Sequence, residues 1–321
     1  MMTSLGREMC PLCSSVAPPL SDCHDDRHAA PGVYAYHKCS QCQAVFQVNR
    51  LPEERLAALY TEYYPRSALS IDDWKPSANK SGFLAWLEGY ASVHRYVPSK
   101  SKVLDIGCGF GEALGYYRSI GCEAYGYELD ENAGRIASAQ GLNIRQGIFE
   151  PGHWEESFFD VVTLDQVLEH IYEPVDFLTG LRKVLRPGGL LILSTPNAVG
   201  LGLKLWGKKW IHWHAPYHVH LYTPKSLHGV LAKCGFACQS LRTVTYSVWL
   251  RSQLLHLIYY PKPGEKSLLW DVRAQGRKKF SQRIAGKAVS LSYKARLIQS
   301  ASRLLDSLGA GDNLLCIAEA Q

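Results

Sequence analysis

The sequence predicts an α/β protein: a doubly wound parallel sheet, preceded by a small cysteine-bearing segment and interrupted by a helical insertion near its carboxyl end. Three observations carry that expectation. An apolar strand runs into alternating glycines at residues 102–111 (KVLDIGCGFG), and the strand after it ends on an acid, Glu128. Two C-x-x-C pairs lie within the first 42 residues. The positive charge is confined to one late stretch, residues 251–308, with twelve Lys+Arg against three Asp+Glu.

The chain has 321 residues, 46% hydrophobic and 20% charged, an ordinary globular composition with room for about two domains at ~150 residues each. The formal net charge is +6, but outside residues 251–308 there are 23 basic against 26 acidic groups. A general nucleic-acid-binding surface is therefore not expected. No apolar run approaches the ~20 residues that span a bilayer, and MMTSLGREMC lacks the apolar core of a signal peptide. The expected setting is cytoplasmic, where a disulfide framework would be unusual.

Four segments follow. Residues 1–60 form the cysteine segment and residues 61–100 a linker and helix. Residues 101–250 with 309–321 form the sheet domain, and residues 251–308 a basic helical insertion. In the first, Cys10-Pro-Leu-Cys13 and Cys39-Ser-Gln-Cys42 can turn two thiolates each toward one tetrahedral centre, the donor set that zinc prefers. Cys23, His24, His28 and His37 are less regularly spaced substitutes. With Pro18, Pro19, Pro31 and Gly32 between the pairs, the segment reads as loops and short strands that rely on the metal. Its five basic and six acidic residues suit a structural ribbon better than a nucleic-acid clamp.

The linker covers residues 63–80, and the aromatic-rich residues 83–96 read as one helix. Strand, glycine turn, helix from Glu112, strand and acid then open a doubly wound nucleotide-binding sheet. The glycines fall at 107, 109 and 111, and the residue three after Gly109 is Glu112, a carboxylate that would repel a pyrophosphate at a helix N-terminus. Glu128, by contrast, can take two ribose hydroxyls through paired charged hydrogen bonds. An adenosyl ligand without phosphates fits this pattern.

On these residues the sequence resembles the class I S-adenosylmethionine-dependent methyltransferases. VLDIGCGFG (103–111) looks like the family's first motif and AYGYELD (124–130) like its ribose-binding strand end. FDVVTLDQVLEHIYEP (159–174) resembles the fourth-strand motif, and LRKVLRPGGLLILSTPN (181–197) the helix and fifth strand after it. The resemblance implies a seven-stranded sheet with an antiparallel last strand, residues 312–319, paired with the strand after Gly235. It also implies S-adenosylmethionine at the carboxyl ends of the first two strands, with Asp105, Gly107, Cys108, Gly109, Gly111, Glu128, Leu129 and Asp165 as contacts. One departure is that Gly147 is followed by Ile148 and Phe149, where many relatives place an adenine-binding acid. Apolar packing would hold the adenine instead.

Methyl transfer needs an aligned acceptor and, for a hydroxyl, a group that removes its proton. Residues 206–222 hold three tryptophans, two tyrosines and four histidines. They can form a metal site, a core-capping aromatic loop or the wall of an acceptor pocket. The metal reading is disfavoured because no carboxylate lies among them. The stretch PYHVHLYTPKSL (216–227) resembles a methyltransferase subgroup that carries the same ribbon and acts on sugars or surface-glycan precursors. That match implies His218 first and His220 second as the base, with His170 a weaker third. Aromatic faces suit sugar rings or quinone-like rings. The expected reaction is O-methylation of a sugar, a glycan precursor or a lipid-linked, ubiquinone-type ring.

Two other functions are weighed. An RNA base methyltransferase is opposed by the neutral ribbon and by Asp165-Gln-Val-Leu where an amine-binding motif would stand. A degenerate binding module is opposed by the intact glycines and Glu128. In the insertion, Phe280, Ile284, Ala288, Leu291, Ile298, Ala301, Leu305 and Leu308 recur at helical spacing, with a possible break near Gly286. Arg283, Lys287, Lys294 and Arg303 lie on other faces. The segment is expected to cap the pocket or, over residues 278–308, to touch an anionic membrane surface.

Overall fold

The computed structural model describes residues 8–52, 55, 59–63, 75, 82–89, 93–271 and 278–321. Strands β1 (Glu8–Met9), β2 (Val16–Ala17), β3 (Pro19–Cys23), β4 (Tyr34–Lys38) and β5 (Val45–Gln47) build the cysteine segment. The sheet domain holds β6 (Lys102–Ile106), β7 (Glu123–Glu128), β8 (Asn143–Gln146), β9 (Phe159–Asp165) and β10 (Leu185–Pro196). It is completed by β12 (Phe236–Val244) and β13 (Asn313–Ala320), while β11 (His220–Leu221) lies outside the large sheet.

The large sheet runs β12-β13-β10-β9-β6-β7-β8, with β13 antiparallel to both neighbours and the other pairs parallel. This is the expected seven-stranded arrangement. Its central strands are buried on both sides, so adjacent residues serve opposite cores: Leu104, Val162 and Leu191 on one face, Val103, Val161 and Ile192 on the other. Chain order reverses between β6 and β9, which opens a crevice at their carboxyl ends.

The helices are α1 (Gly82–Leu87), α2 (Glu112–Ser119), α3 (Glu131–Ala139), α4 (Pro174–Val184), α5 (Leu201–Trp206) and α6 (Pro224–Lys233), then α7 (Ser247–Ile258), α8 (Phe280–Lys294) and α9 (Leu297–Ser307). Asp130 caps α3 by accepting the Ala133 N–H at 2.8 Å, and Thr223 with Ser226 forms a capping box on α6.

Two expectations are corrected, and a third falls outside the described residues. Residues 83–96 do not form one helix: α1 ends at Leu87, Gly89 takes φ +72°, and a short 3-10 turn covers Val93–Tyr96. The linker expected at residues 63–80 lies outside the described residues apart from Tyr63 and Lys75. Gly286 does not break the insertion helix. It is buried in α8, where a Cβ would meet the Tyr259 hydroxyl at 2.5 Å, and the break comes at Arg296 with φ +64°.

The cysteine segment is also better supported than its composition implies. Strand β11 joins β5, making the four-stranded sheet β11-β5-β4-β3. Cys23, Tyr34, Tyr36 and Val45 are buried with Trp210, Trp213, Ala215 and Leu221 in one apolar cluster. The ribbon thus shares its core with the histidine-rich stretch.

Candidate functional site

At the end of β6 the chain turns through Gly107 (φ +71°), Cys108 and Gly109 (φ +55°) into α2. A Cβ on Gly107 would meet Val167 Cγ2 at 2.7 Å, whereas Gly109 faces open space. The Gly107 and Cys108 N–H groups both donate to the Tyr127 carbonyl, at 2.9 and 3.0 Å. Glu128, buried at the end of β7, accepts the Gly109 N–H at 2.7 Å on Oε2 and the Asp130 N–H at 2.8 Å on Oε1. The backbone thus fixes both carboxylate oxygens at the end of β7.

Asp105 is buried on β6, opposite Thr163 in register, and accepts its hydroxyl at 2.7 Å. Burial pushes the Asp105 carboxyl up to about 7. Leu129 and Ile148, following the adjacent strands β7 and β8, are exposed apolar residues. Asp165, at the end of β9, accepts the Ser194 hydroxyl and is also bonded by Tyr246; burial raises its pKa.

Beside Asp165 lies the turn Leu168–His170. Glu169 is fully buried. Its Oε2 accepts the Thr195 hydroxyl at 3.0 Å, while Oε1 has no hydrogen-bond partner. Burial pushes this carboxyl up to about 8. His218 is buried against it, with Nε2 4.0 Å from Glu169 Oε1 and Nδ1 2.8 Å from the His212 carbonyl. His170 is half-buried, and its Nδ1 lies 2.8 Å from the Tyr217 carbonyl. A carbonyl only accepts, so both rings carry the proton on Nδ1, and His218 Nε2 lies 3.4 Å from His214 Nδ1. Burial first, and neighbouring His170 and Arg27 next, hold His218 well below 6.5 and therefore neutral at pH 7.

The structure thus brings His218 and His170 together with Glu169, a carboxylate from outside residues 206–222. His220 is different. It lies in β11 across from Phe46, with both ring nitrogens buried and lacking hydrogen-bond partners. Burial lowers its pKa to about 4. Glu169, Ser194 and Thr195 fall within the stretches that the sequence offers past its fourth and fifth strands, residues 165–170 and 194–197, whereas Tyr246 carries no such signal.

The Sγ atoms of Cys10, Cys13, Cys39 and Cys42 lie within 4.8 Å of one another, with Cys10–Cys42 at 3.7 Å and Cys13–Cys39 at 3.4 Å. Tetrahedral Zn–S bonds of ~2.3 Å imply sulfurs about 3.8 Å apart, so this donor set fits zinc. The two knuckles match: the residue after each pair, Ser14 and Gln43, has positive φ of 58° and 62°. Cys23, His24, His28 and His37 are not in the cluster. The ribbon also reaches the acceptor corner. Tyr36 Oη donates to the His218 carbonyl at 2.9 Å, and the Gln47 N–H to the Val219 carbonyl at 2.9 Å. The Val219 N–H in turn donates to the Glu169 carbonyl at 2.8 Å.

In the insertion, the polar and glycine side of α8 faces the protein. Tyr259 Oη donates to the Gln282 carbonyl at 3.2 Å, and Gly286 is buried. Phe280 (80% exposed), Ile284 and Leu291 face outward with Arg283, Lys287 and Lys294, as do Leu297, Leu304 and Leu308 of α9. Among the described residues, no helix is long and apolar enough to cross a membrane.

Comparison with known proteins follows this geometry. Residues 83–241 match the family model described as a methyltransferase domain. The ubiquinone biosynthesis O-methyltransferase of Maricaulis maris is 30% identical over 159 residues, covering 46% of this chain and 63% of that protein. The protein of the same name from Cereibacter sphaeroides is 32% identical over 146 residues, covering 42% and 59%. The chain therefore spans about three fifths of the length of these relatives. Phosphoethanolamine N-methyltransferase 2 of Haemonchus contortus, solved with S-adenosyl-L-methionine, shares the fold. Its TM-score is 0.52 at 17% identity, covering 86% of this chain and 61% of that one.

Proposed function

We propose that this chain methylates a hydroxyl oxygen of a small acceptor, using S-adenosylmethionine, a reading supported by the match of residues 83–241 to a methyltransferase-domain family model. One observation carries the reading. A single end of the sheet bears a diol-binding carboxylate, Glu128, on β7 and a cluster of lone-pair donors, Glu169, His170 and His218, just past β9. The cofactor supplies an electrophilic methyl on a sulfonium. Glu128 holds the ribose through its carboxylate oxygens, and the Gly107–Cys108–Gly109 turn leaves room beside it. Gly111 completes the turn, and Asp105 and Asp165 offer negative charge to the cationic amino-acid end. Leu129 and Ile148 flank the adenine in place of the missing acid.

On the acceptor side, the Nε2 atoms of His170 and His218 are the basic atoms against which the hydroxyl loses its proton. His170 takes precedence over His218 because its ring is half-exposed. His220 is set aside, since its ring is enclosed where β11 meets the ribbon. A neutral imidazole near the hydroxyl contributes about 10²–10⁴-fold to transfer. The four ribbon thiolates hold one structural zinc, and through Tyr36 and Gln47 the ribbon steadies the backbone that carries His218 and Glu169.

The acceptor is a lipid-linked ring, phenolic or sugar. The relatives' names include ubiquinone biosynthesis O-methyltransferase, and the outward apolar and basic face of α8 and α9 fits an anionic membrane on which such an acceptor would reside. The test is incubation with methyl-labelled cofactor and fractionated cell extract. Label in lipids, quinones or sugars is expected, and label in RNA or protein would overturn the reading.

A further inference from the structure

We propose that a cavity at the β12 edge of the sheet, walled by Trp86, Arg95, Tyr96, Arg242, Arg303 and Asp306, binds a phosphoryl group carried by the acceptor. This deepens the reading of the chain as a methyltransferase of a small acceptor and rests on it.

The cavity has a volume of about 840 Å³, within the range of small-molecule sites. Trp86 comes from α1, Arg95 and Tyr96 from the 3-10 turn that follows, Arg242 from β12, and Arg303 with Asp306 from α9. Val244, at the end of β12, and Pro196, at the end of β10, both pair with Asn313. The cavity therefore lies at the same end of the sheet as Glu128 and Asp165. Strand β12 stands three positions from β9, about 14 Å at a spacing of ~4.8 Å. Tyr246, two residues past β12, bonds Asp165 and ties the two places together. An extended acceptor of about that length reaches from one to the other.

The chemistry of the wall selects the ligand. Its described residues set three guanidiniums against one carboxylate, a net charge of +2. A phosphate monoester carries about two negative charges at pH 7 and matches that balance, where a monocarboxylate does not. Guanidiniums also present paired N–H donors that fit phosphoryl oxygens. Two of the three are held in place. Arg242 donates to the Tyr96 hydroxyl and lies over its ring, with Cζ 4.9 Å from the centroid. Arg303 donates to the Thr245 carbonyl and stands 3.0 Å from Asp306. Its Nε and the Thr243 Oγ1 are buried and have no hydrogen-bond partner among the described residues. Both can donate, and buried donors left so point to an acceptor atom that the chain does not supply. Trp86, 54% exposed, adds an aromatic face for the ring to which the phosphoryl group is attached. The insertion thus turns part of its positive charge inward, through Arg303, toward a ligand.

The experiment uses the full chain. Phenyl phosphate, inorganic phosphate and benzoate are titrated by calorimetry. One saturable site per chain is expected for phenyl phosphate, with inorganic phosphate and benzoate weaker. Arg242→Glu should weaken phenyl phosphate roughly tenfold or more and Arg242→Lys less, with S-adenosylmethionine affinity unchanged. Trp86→Leu should weaken phenyl phosphate but not inorganic phosphate. Absence of saturable phenyl phosphate binding to the unmodified chain overturns the proposal, whether or not the variants fold, and so does wild-type affinity in Arg242→Glu. A second arm repeats the methyl labelling of cell extract after digestion with phosphatase and phosphodiesterase and removal of both enzymes. Label transfer should be lost. Undiminished transfer would give the cavity to a separate phosphorylated molecule and overturn its assignment to the acceptor. S-adenosylmethionine that fails to bind while phenyl phosphate still binds would instead strike the methyltransferase reading.

Discussion

Replacing Glu128 tests the cofactor site where its geometry is most explicit. The carboxylate is buried, and each oxygen already accepts one backbone N–H, Gly109 at 2.7 Å and Asp130 at 2.8 Å. The proposed ribose diol would meet the same two oxygens. Charge-assisted hydrogen bonds contribute about 1.5–3 kcal/mol each. Glu128→Ala should therefore cost about 3–4 kcal/mol of binding, or a ~10²–10³-fold rise in Kd for S-adenosylmethionine by calorimetry. Glu128→Gln keeps a neutral acceptor, and its loss should be about half that. A 2′-deoxy analogue completes the cycle: it should bind the wild type more weakly than the parent cofactor, yet show little further loss in Glu128→Ala. An Ala variant within threefold of wild type, or full additivity in the cycle, would refute the assignment.

Further outcomes follow from the same structure. Purified protein should hold one ribbon zinc, and Cys39→Ser should release it; turnover should then fall more than cofactor affinity, because the ribbon braces His218 and Glu169. Equal losses in both would contradict that coupling. Asp105 has a folded pKa of about 7 against an ordinary 3.8. The folded state therefore binds the extra proton, and its stabilising contribution is complete below pH ~4 and lost as pH rises through 7. Urea titrations should show Asp105→Asn gaining on the wild type across that window, by at most about 4 kcal/mol; parallel pH profiles would refute it. Sedimentation with vesicles containing anionic lipid should pull down the wild type, more weakly at high salt. Phe280→Glu with Leu291→Glu should abolish this, and equal binding to neutral vesicles would argue against charge as a determinant.

Much of this was legible in the sequence because its signals are local. The glycine turn, Glu128, the βαβ order and the C-x-x-C knuckles each depend on residues within about thirty positions. The ribbon's docking did not show, because β5 and β11 pair Phe46 with His220 across most of the chain. The pairing of Glu169 with His218 did not show for the same reason. Glu169 is nearly fifty residues from His218, and only folding brings them within 4.0 Å. The insertion's helical period was visible, but periodicity defines a face without saying which way it points. The contact of buried Gly286 with Tyr259 turns the apolar stripe outward.

One structure would test the central claim most directly: a crystal of the full chain with S-adenosylhomocysteine. The ribose hydroxyls should rest on Glu128, with the sulfur facing the corner formed by Asp165, Glu169, His170 and His218. Ligand bound elsewhere, or a sulfur turned away from those histidines, would contradict methyl transfer at this site.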